Sequence, residues 1–421
     1  MQENSRYAVG LDIGTTTVRC VVGHLDDSGG TPTIVGVGSA PNTGMRKGVV
    51  SHLQGPSAAI DKALGEAERV SGYQVDAATV SINGQHILST KADGMIAVGA
   101  MDHEVNVEDI ARLEEVATVG KIPANREVLQ VVPHDYRLDG QDNIKDPIGM
   151  TGTRLEVRAN VVSVLLPHLN NLEKAADMAK VNAHTIVPAV LAAARSVLDE
   201  SQVENGVAVV DIGGSTTSVA VFEEGDLQFV SVIPVGGINI TNDLAIGLKT
   251  DPEVAEKVKL THARLGNRDG SSGVSVKIGK QTHSFDSSDV DEIVEARLEE
   301  VFESVQKELK RAGKSGQLPS GVVLTGGTAN IRGIADFAKE QLGLAARVGK
   351  PSGFGGVADG VSTPEFATAV GLMLGEAEGD LGSANTGKRN KNVAKKGTLP
   401  GKSSLAGATS SVKKMFSRFK F

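Results

Sequence analysis

One pattern occurs twice in this chain, 199 residues apart. Residues 7–22 read YAVGLDIGTTTVRCVV and residues 206–221 read GVAVVDIGGSTTSVAV. Each is an apolar strand with an Asp at its end, a Gly/Thr-rich turn, and a second strand that starts at once. The tip of such a hairpin offers backbone amides and small hydroxyls, with one carboxylate beside them. Glycines let main-chain N–H groups approach a ligand closely, so a tip of this kind can cradle a phosphate. A single copy would say little, because Gly-rich hairpin tips are common. Two copies, with Asp12 and Asp211 in equivalent settings, predict an internally duplicated chain.

At 421 residues the chain exceeds the size at which single cores stop growing, so two or more domains are expected. Aromatic residues make up 3% and Trp is absent, which argues against a nucleic-acid binder that stacks bases. Cys20 is the only cysteine, so no disulfide can form within the chain; it reads as a small buried hydrophobe in a reducing compartment. The net charge of −8 is unevenly spread. Ten of the 43 basic residues fall in 385–421 with no acid among them, leaving 33 against 51 acidic residues before it, a net of −18. An acidic body with a basic tail suggests a tail that seeks a negative surface. The opening MQENSRYAVG lacks the pattern of a secretory signal, and no run of about eighteen apolar residues occurs, so a cytoplasmic chain is expected.

After the first hairpin, strands at 33–38 and 48–51 would complete a meander, with a loop over 41–47 between them. A helix at 56–70 and a strand at 78–82 make this an α/β layer. The texture changes over 84–160: more polar, with a helix at 107–119 capped by Asn106, strands at 127–133 and 154–164, and a turn-rich stretch at 139–152. This predicts an inserted subdomain. The chain then returns through a strand at 161–166, a helix at 169–180, an extended piece at 183–187 and a buried connecting helix at 188–198 with Pro188 in its first turn.

The second hairpin is followed by a strand at 227–235, Gly236-Gly237 and a helix beginning near Asn239. A helix at 252–262 carries Glu256 and Lys259 one turn apart, and 264–283 reads as a polar loop. A long helix at 291–312 puts Val294, Leu298, Val301, Phe302, Val305 and Leu309 on one face. A buried strand at 321–324 ends in Thr325-Gly326-Gly327-Thr328, before a helix at 334–342 and a last apolar helix at 367–375. From about 379 the composition collapses to Gly, Ser, Asn, Lys and Thr, which predicts a flexible linker. In the final SVKKMFSRFKF, Val412, Met415, Phe416 and Phe419 fall on one helical stripe, with Lys413, Lys414, Arg418 and Lys420 on the other faces.

Two carboxylates, each beside a Gly/Thr loop on facing halves, suit one task. They can position Mg²⁺, through water, against the phosphates of a nucleotide held between two domains. The pairs Gly236-Gly237 and Gly326-Gly327 would let a flat ring and a sugar approach the backbone. Glu256 and Lys259 present an acceptor and a donor on one face, suited to ribose hydroxyls, although a Glu-x-x-Lys alone is an ordinary solvated pair. Other phosphate fingerprints, zinc patterns and the Gly-x-Ser-x-Gly elbow are missing.

DIGTTT at 12–17, DIGGSTT at 211–217 and LTGGTANIRG at 324–333 resemble the phosphate and adenosine motifs of the actin, Hsp70 and sugar-kinase superfamily. SINGQHI at 81–87, VLQVVPHDYRLDGQDNIKDPIGMTGTRLEV at 128–157 and GVVLTGG at 321–327 narrow this to the FtsA family, bacterial actin homologues that anchor the cell-division ring. The similarity runs from about 7 to 375 and resumes at the tail. It implies an α/β, actin-like (duplicated RNase H-like) two-lobed ATPase fold. Residues 1–83 and 161–205 would form the first lobe, 84–160 the inserted subdomain, 206–242 and 306–378 the second lobe, and 243–305 a small subdomain. Residues 379–410 would be a disordered linker and 411–421 a terminal amphipathic helix.

The resemblance further implies ATP between the lobes, with Asp12 and Asp211 on the Mg²⁺ side and Gly14, Thr15, Thr16, Gly213, Gly214, Ser215 and Thr216 on the phosphates. Glu256 and Lys259 would meet the ribose, Gly326, Gly327 and Thr328 the adenosine, with Gly236, Gly237 and Asn239 beside them. It implies self-association into protofilaments, an FtsZ C-terminal peptide on 243–305, and later division proteins on the inserted subdomain. The tail (Val412, Lys413, Lys414, Met415, Phe416, Arg418 and Phe419) would bind anionic lipids at the cytoplasmic face of the bacterial inner membrane. Chaperone and MreB relatives carry a water-orienting Glu before the connecting helix, where this chain has Val187-Pro188. Slow hydrolysis is therefore expected, and no catalytic residue is assigned. Two other readings remain open: a pilus-assembly actin homologue, and a small-molecule kinase or phosphatase of the same superfamily. Neither has a reason for the basic amphipathic tail.

Overall fold

The computed structural model describes residues 6–26, 30–99, 103–266, 273–356 and 360–379. The predicted linker beyond 379 and the terminal helix lie outside these residues. In the first lobe, β1 (Arg6–Ile13), β2 (Thr17–Leu25) and β3 (Thr33–Pro41) form an antiparallel meander. The strand expected at 48–51 does not extend it. Lys47 and Gly48 both take positive φ (50° and 78°), so the chain doubles back into a separate ribbon of β4 (Met45–Arg46) and β5 (Val49–Val50). Helix α1 (Gln54–Ser71) lies on β3 at Gly38, where a Cβ would stand 1.9 Å from the Ala63 carbonyl oxygen. Strand β6 (Ala77–Ile82) then runs parallel to β1.

The inserted subdomain comprises β7 (Leu88–Ala97), α2 (Val107–Thr118), β8 (Arg126–Leu138), β9 (Gln141–Ile144) and β10 (Arg154–Leu165), in sheet order β7-β10-β8-β9. Asn106 and Asp109 close the capping box that starts α2. Strand β7 escapes sequence reading because only Ala92 and Gly94 are buried along it. The expected boundary at 160/161 falls inside β10, a single strand that pairs with β7 and β8 along nearly its whole length. After α3 (Leu166–Met178), strand β11 (Asn182–Pro188) joins β6, and α4 (Ala189–Val197) and α5 (Glu200–Asn205) lead to the second lobe.

The second lobe repeats the first. Its β12 (Val207–Ile212), β13 (Thr217–Glu223) and β14 (Asp226–Ile233) form the meander. Helices α6 (Gly237–Gly247) and α7 (Pro252–His262) follow. The segment expected as a loop holds a hairpin of β15 (Val274–Ile278) and β16 (Gln281–Phe285), whose inward Val274 and Val276 are separated by polar residues. Helix α8 (Ser287–Arg311) starts four residues earlier than periodicity suggests, because the Asp286 side chain accepts from the Ser288 amide at 2.9 Å. Then come β17 (Val322–Thr325), α9 (Ile334–Leu342) and β18 (Ala346–Val348). The order β14-β13-β12-β17-β18 reproduces β3-β2-β1-β6-β11 of the first lobe.

The chain does not stay in the second lobe up to 378, as the sequence suggests. Strand β19 (Gly355–Gly356) pairs with β3, and α10 (Ala367–Ala377) buries Val370, Met373 and Leu374 against Ala8, Val21 and Ile34. The cause is local. Helix α10 is apolar on all sides, so it must be enclosed, and Gly10 leaves room for the Ala369 carbonyl where a Cβ would stand 2.1 Å away. Helix α4 in turn packs on β12 and β13 of the second lobe. The two helices cross where Gly371 meets the Ala192 carbonyl, so each half ends beneath the other half's sheet. Among the described residues no helix is long and apolar enough to cross a membrane.

Candidate functional site

The duplicated hairpins meet across a cleft, and their registers are the same shifted by 199. Asp12 stands opposite Arg19 in one, and Asp211 opposite Ser218 in the other. Each carboxylate also faces a hydroxyl on the neighbouring parallel strand. Ser81 Oγ donates to Asp12 Oδ1 at 2.7 Å, and Thr325 Oγ1 to Asp211 Oδ1 at 3.4 Å. Ser81 was not foreseen, although a small hydroxyl near the end of both strands, one residue before Asn-Gly in the first and directly before Gly-Gly in the second, is a legible signal.

The tip carbonyls are bonded from behind. Asn42 donates from its side chain to Gly14 O at 2.7 Å and from its backbone to Thr16 O at 2.8 Å. On the other side, Gly237 N and Ile238 N, at the start of α6, donate to Gly213 O at 2.9 Å and Gly214 O at 2.6 Å. This leaves the tips presenting amides and hydroxyls to the cleft. The tips also touch each other: Ser215 Oγ donates to Thr15 Oγ1 at 2.9 Å. Asn83, at the end of β6, spans the lobes, donating to Thr216 Oγ1 at 3.2 Å and accepting from Ser218 Oγ at 3.1 Å.

Between the lobes lies a cavity of about 560 Å³. Of the residues expected there, Asp12, Gly14, Thr15, Thr16, Asp211, Gly213, Gly214, Thr216, Gly237, Glu256, Lys259, Gly326, Gly327 and Thr328 line it. Three do not. Asn239 caps α6, its Oδ1 accepting from Gly236 N at 3.1 Å; Gly236 is pressed against Gly213 O, where a Cβ would lie at 2.6 Å; Ser215 is turned toward Thr15. Arg19, Leu260 and Glu365 line the cavity without having been foreseen. On the α7 wall, Lys259 Nζ donates to Glu256 Oε2 (2.7 Å), Thr241 Oγ1 (2.8 Å) and Gly237 O (3.1 Å), so the pair is fixed to the start of α6. Gly326 has φ 85°, and a Cβ there would lie 2.5 Å from Asp211 Oδ1.

Burial raises the pKa of both carboxyls. For Asp12 it outweighs the Ser81 hydrogen bond and the nearby Arg19 charge. For Asp211 burial, joined by the charge of Asp12, pushes the value up to about 7, against Thr325 and Arg19. Two carboxylates that disfavour ionisation side by side would be relieved by a divalent cation. No group of three or more His, Cys, Asp or Glu side chains that could hold a metal occurs among the described residues, so a metal at the Asp pair would need further ligands of another kind. Amide-bearing tips, close glycine walls and the carboxylate pair fit a magnesium-bound polyphosphate. No carboxylate occupies the start of α4, where Val187 and Pro188 are buried and Ala189 faces the cavity.

Residues 208–371 match the family described as cell division protein FtsA, and residues 84–163 match the SHS2 domain inserted in FtsA. The chain is 36% identical over 376 residues to the cell division protein FtsA of Pseudomonas aeruginosa, covering 88% of this chain and 89% of that one. Among solved structures, the PilM–PilN type IV pilus biogenesis complex superposes with a TM-score of 0.64 at 18% identity, covering 87% of this chain and 97% of that chain. MreB5 of Spiroplasma citri bound to ADP gives 0.53 at 14% identity, covering 88% and 96%. At those identities the two structures establish the actin-like fold alone.

Proposed function

This chain belongs to the FtsA family of actin-like cell division proteins, and we propose that it works as a nucleotide-switched filament on the membrane. The observation that carries the reading is the pair of Asp-Ile-Gly hairpins whose tips close on one cavity. ATP would lie there with its phosphates between Gly14–Thr16 and Gly213–Thr216, its ribose by Glu256 and Lys259, and its base by Gly326–Thr328. Asp12 and Asp211 would hold Mg²⁺ through water, and the ion, when bound, neutralises phosphate charge. The chain's own part is to bind and orient. With Val187-Pro188, just before α4, where a water-orienting carboxylate would be needed, turnover is slow, and the bound nucleotide sets the pose of the lobes.

Self-association, capture of an FtsZ C-terminal peptide by the small subdomain near 243–305, and recruitment of later division proteins by the inserted subdomain complete the reading. The 411–421 segment would hold the polymer on anionic lipid at the cytoplasmic face, at the division site. An eleven-residue helix is marginal in water and forms when its apolar face is buried, while each near-surface Lys or Arg adds about 1 kcal/mol on anionic lipid.

Electron microscopy on an anionic lipid monolayer tests this. The full chain with ATP should give membrane-bound filaments, and a chain ending before Ser411 should give none on the lipid. Phe416→Glu should abolish co-sedimentation with anionic liposomes. Steady-state ATP hydrolysis of many turnovers per second, or liposome binding unchanged by Phe416→Glu, would refute the switch or the anchor respectively.

A further inference from the structure

The inserted subdomain grows from the first lobe yet is bonded to the second. Strand β14, the edge of the second sheet, packs against β7, β8 and β10. Near the root this seam is apolar: Val132, Val162 and Val164 share a core with Leu227, Val230 and Val232. Farther out it is polar. Asn160, 1% exposed, donates from Nδ2 to the carbonyls of Gln228 (2.7 Å) and Leu227 (3.2 Å), and its Oδ1 accepts from Ser89 Oγ at 2.6 Å. Lys145, just after β9, donates to Asp226 Oδ2 at 2.8 Å, to Glu224 O at 3.1 Å, and to His134 O of its own subdomain at 3.0 Å.

What Lys145 grips is rigid. The β13–β14 turn has Glu224 and Gly225 at φ 54° and 82°. The Glu224 amide donates to Glu204 O at 3.0 Å, on the helix that joins the lobes, and Glu223 is paired with Lys314. A cavity of about 410 Å³ borders the seam between Lys91, His134, Arg158, Glu224 and Gln228, so its outer end is polar and can part without opening a core. Any turning of one lobe relative to the other must break or drag these bonds.

We propose that the inserted subdomain is a strap between the lobes, latched by Lys145 and anchored by Asn160, so that a partner loading this subdomain changes the opening of the cleft. The consequence for the cleft rests on the nucleotide reading above; the strap itself does not.

The two are separated by measuring them separately. Cys20 is buried, so spin labels can be placed selectively on Lys62→Cys of α1 and Glu340→Cys of α9, both exposed. Without nucleotide, the wild-type pair should give one narrow interlobe distance. Lys145→Glu, facing Asp226, Glu224 and nearby Glu204, should shift or broaden it, Lys145→Ala should do so less, and Lys145→Glu with Asp226→Lys should restore most of it. In the second arm, release of a fluorescent ADP should be about threefold faster in Lys145→Glu and return in the charge-swapped protein. Unchanged distance distributions in folded Lys145→Glu and Lys145→Ala would overturn the strap. Absence of ADP binding in every variant would overturn the nucleotide reading, and the distances would still decide the strap.

Discussion

The two jaws of the cleft have one backbone plan and divide the work on it. Each has an Asp at a strand end, a tip with tied carbonyls, and a hydroxyl from the adjacent parallel strand. Opposite the Asp the first jaw carries Arg19, a fixed positive charge, where the second has Ser218, which bonds across to Asn83. Behind the tip the first is held by a single residue, Asn42, through its side chain and its backbone, and the second by the opening turn of α6. Following the strand hydroxyl, the first has buried Ile82 and the second Gly326 at positive φ. Duplication supplied the frame, and divergence made one jaw electrostatic and the other a hub for neighbouring elements.

The harshest way to break the second jaw is Gly326→Ala. The left-handed backbone and the collision with Asp211 Oδ1 and Ile212 O should cost about 3 kcal/mol and remove nucleotide binding. A trim at the corresponding position of the first jaw, Ile82→Val, should cost about 1 kcal/mol and leave binding in place. Chemical denaturation and nucleotide titration of both would measure the contrast, and equal effects would mean that the jaws are not differentiated.

A second test uses pH. The folded Asp211 carboxyl holds its proton up to about 7, well above the ordinary carboxylate range, so it favours the fold while protonated. That contribution is complete in acid and is lost as pH rises through about 7, where folding must bury the charge. Ligand-free Asp211→Asn should therefore melt several degrees higher than wild type at pH 8, the gap closing toward pH 4, while binding magnesium nucleotide more weakly. Asp12→Asn should shift the same curve in the same direction, since burial outweighs Arg19 and Ser81 at that carboxyl too. Melting curves of both from pH 4 to 9 would show it; no gain over wild type at pH 8 in either variant would refute the burial argument.

The mildest test is behind the first tip. Asn42→Ala removes one side-chain bond to Gly14 O and should cost about 1 kcal/mol, with nucleotide affinity falling about fivefold. No loss of affinity would show that the tip holds its shape without that side-chain bond.

Most of the cavity lining was legible because it sits on contiguous motifs. Asp12 with Gly14–Thr16, Asp211 with Gly213–Thr216, and Gly326–Thr328 each announce themselves within a few residues. Asn239, expected beside the nucleotide, caps α6 and does not line the cavity: an Asn two residues past Gly237 caps a helix as readily as it meets a ligand, and the sequence pattern is the same. Asn83 and Arg19 were missed because one acts across the lobes and the other reads as a polar break in an apolar strand. The hairpin at 274–285 hid because its two inward valines are interleaved with polar residues.

The DIG hairpins, which opened the reading, determined the duplication, the two sheets and the carboxylate pair, since strand periodicity and turn chemistry act over short stretches of chain. Helix α10 shows where that reach ends. Its all-round apolarity required burial but named no partner, and only the gap at Gly10 and the crossing at Gly371 put it under the first sheet. The same holds for the seam at Lys145 and Asn160. Which edge the inserted subdomain would grip is a matter of how folded surfaces fit, and that fit exists only once the chain has been brought together.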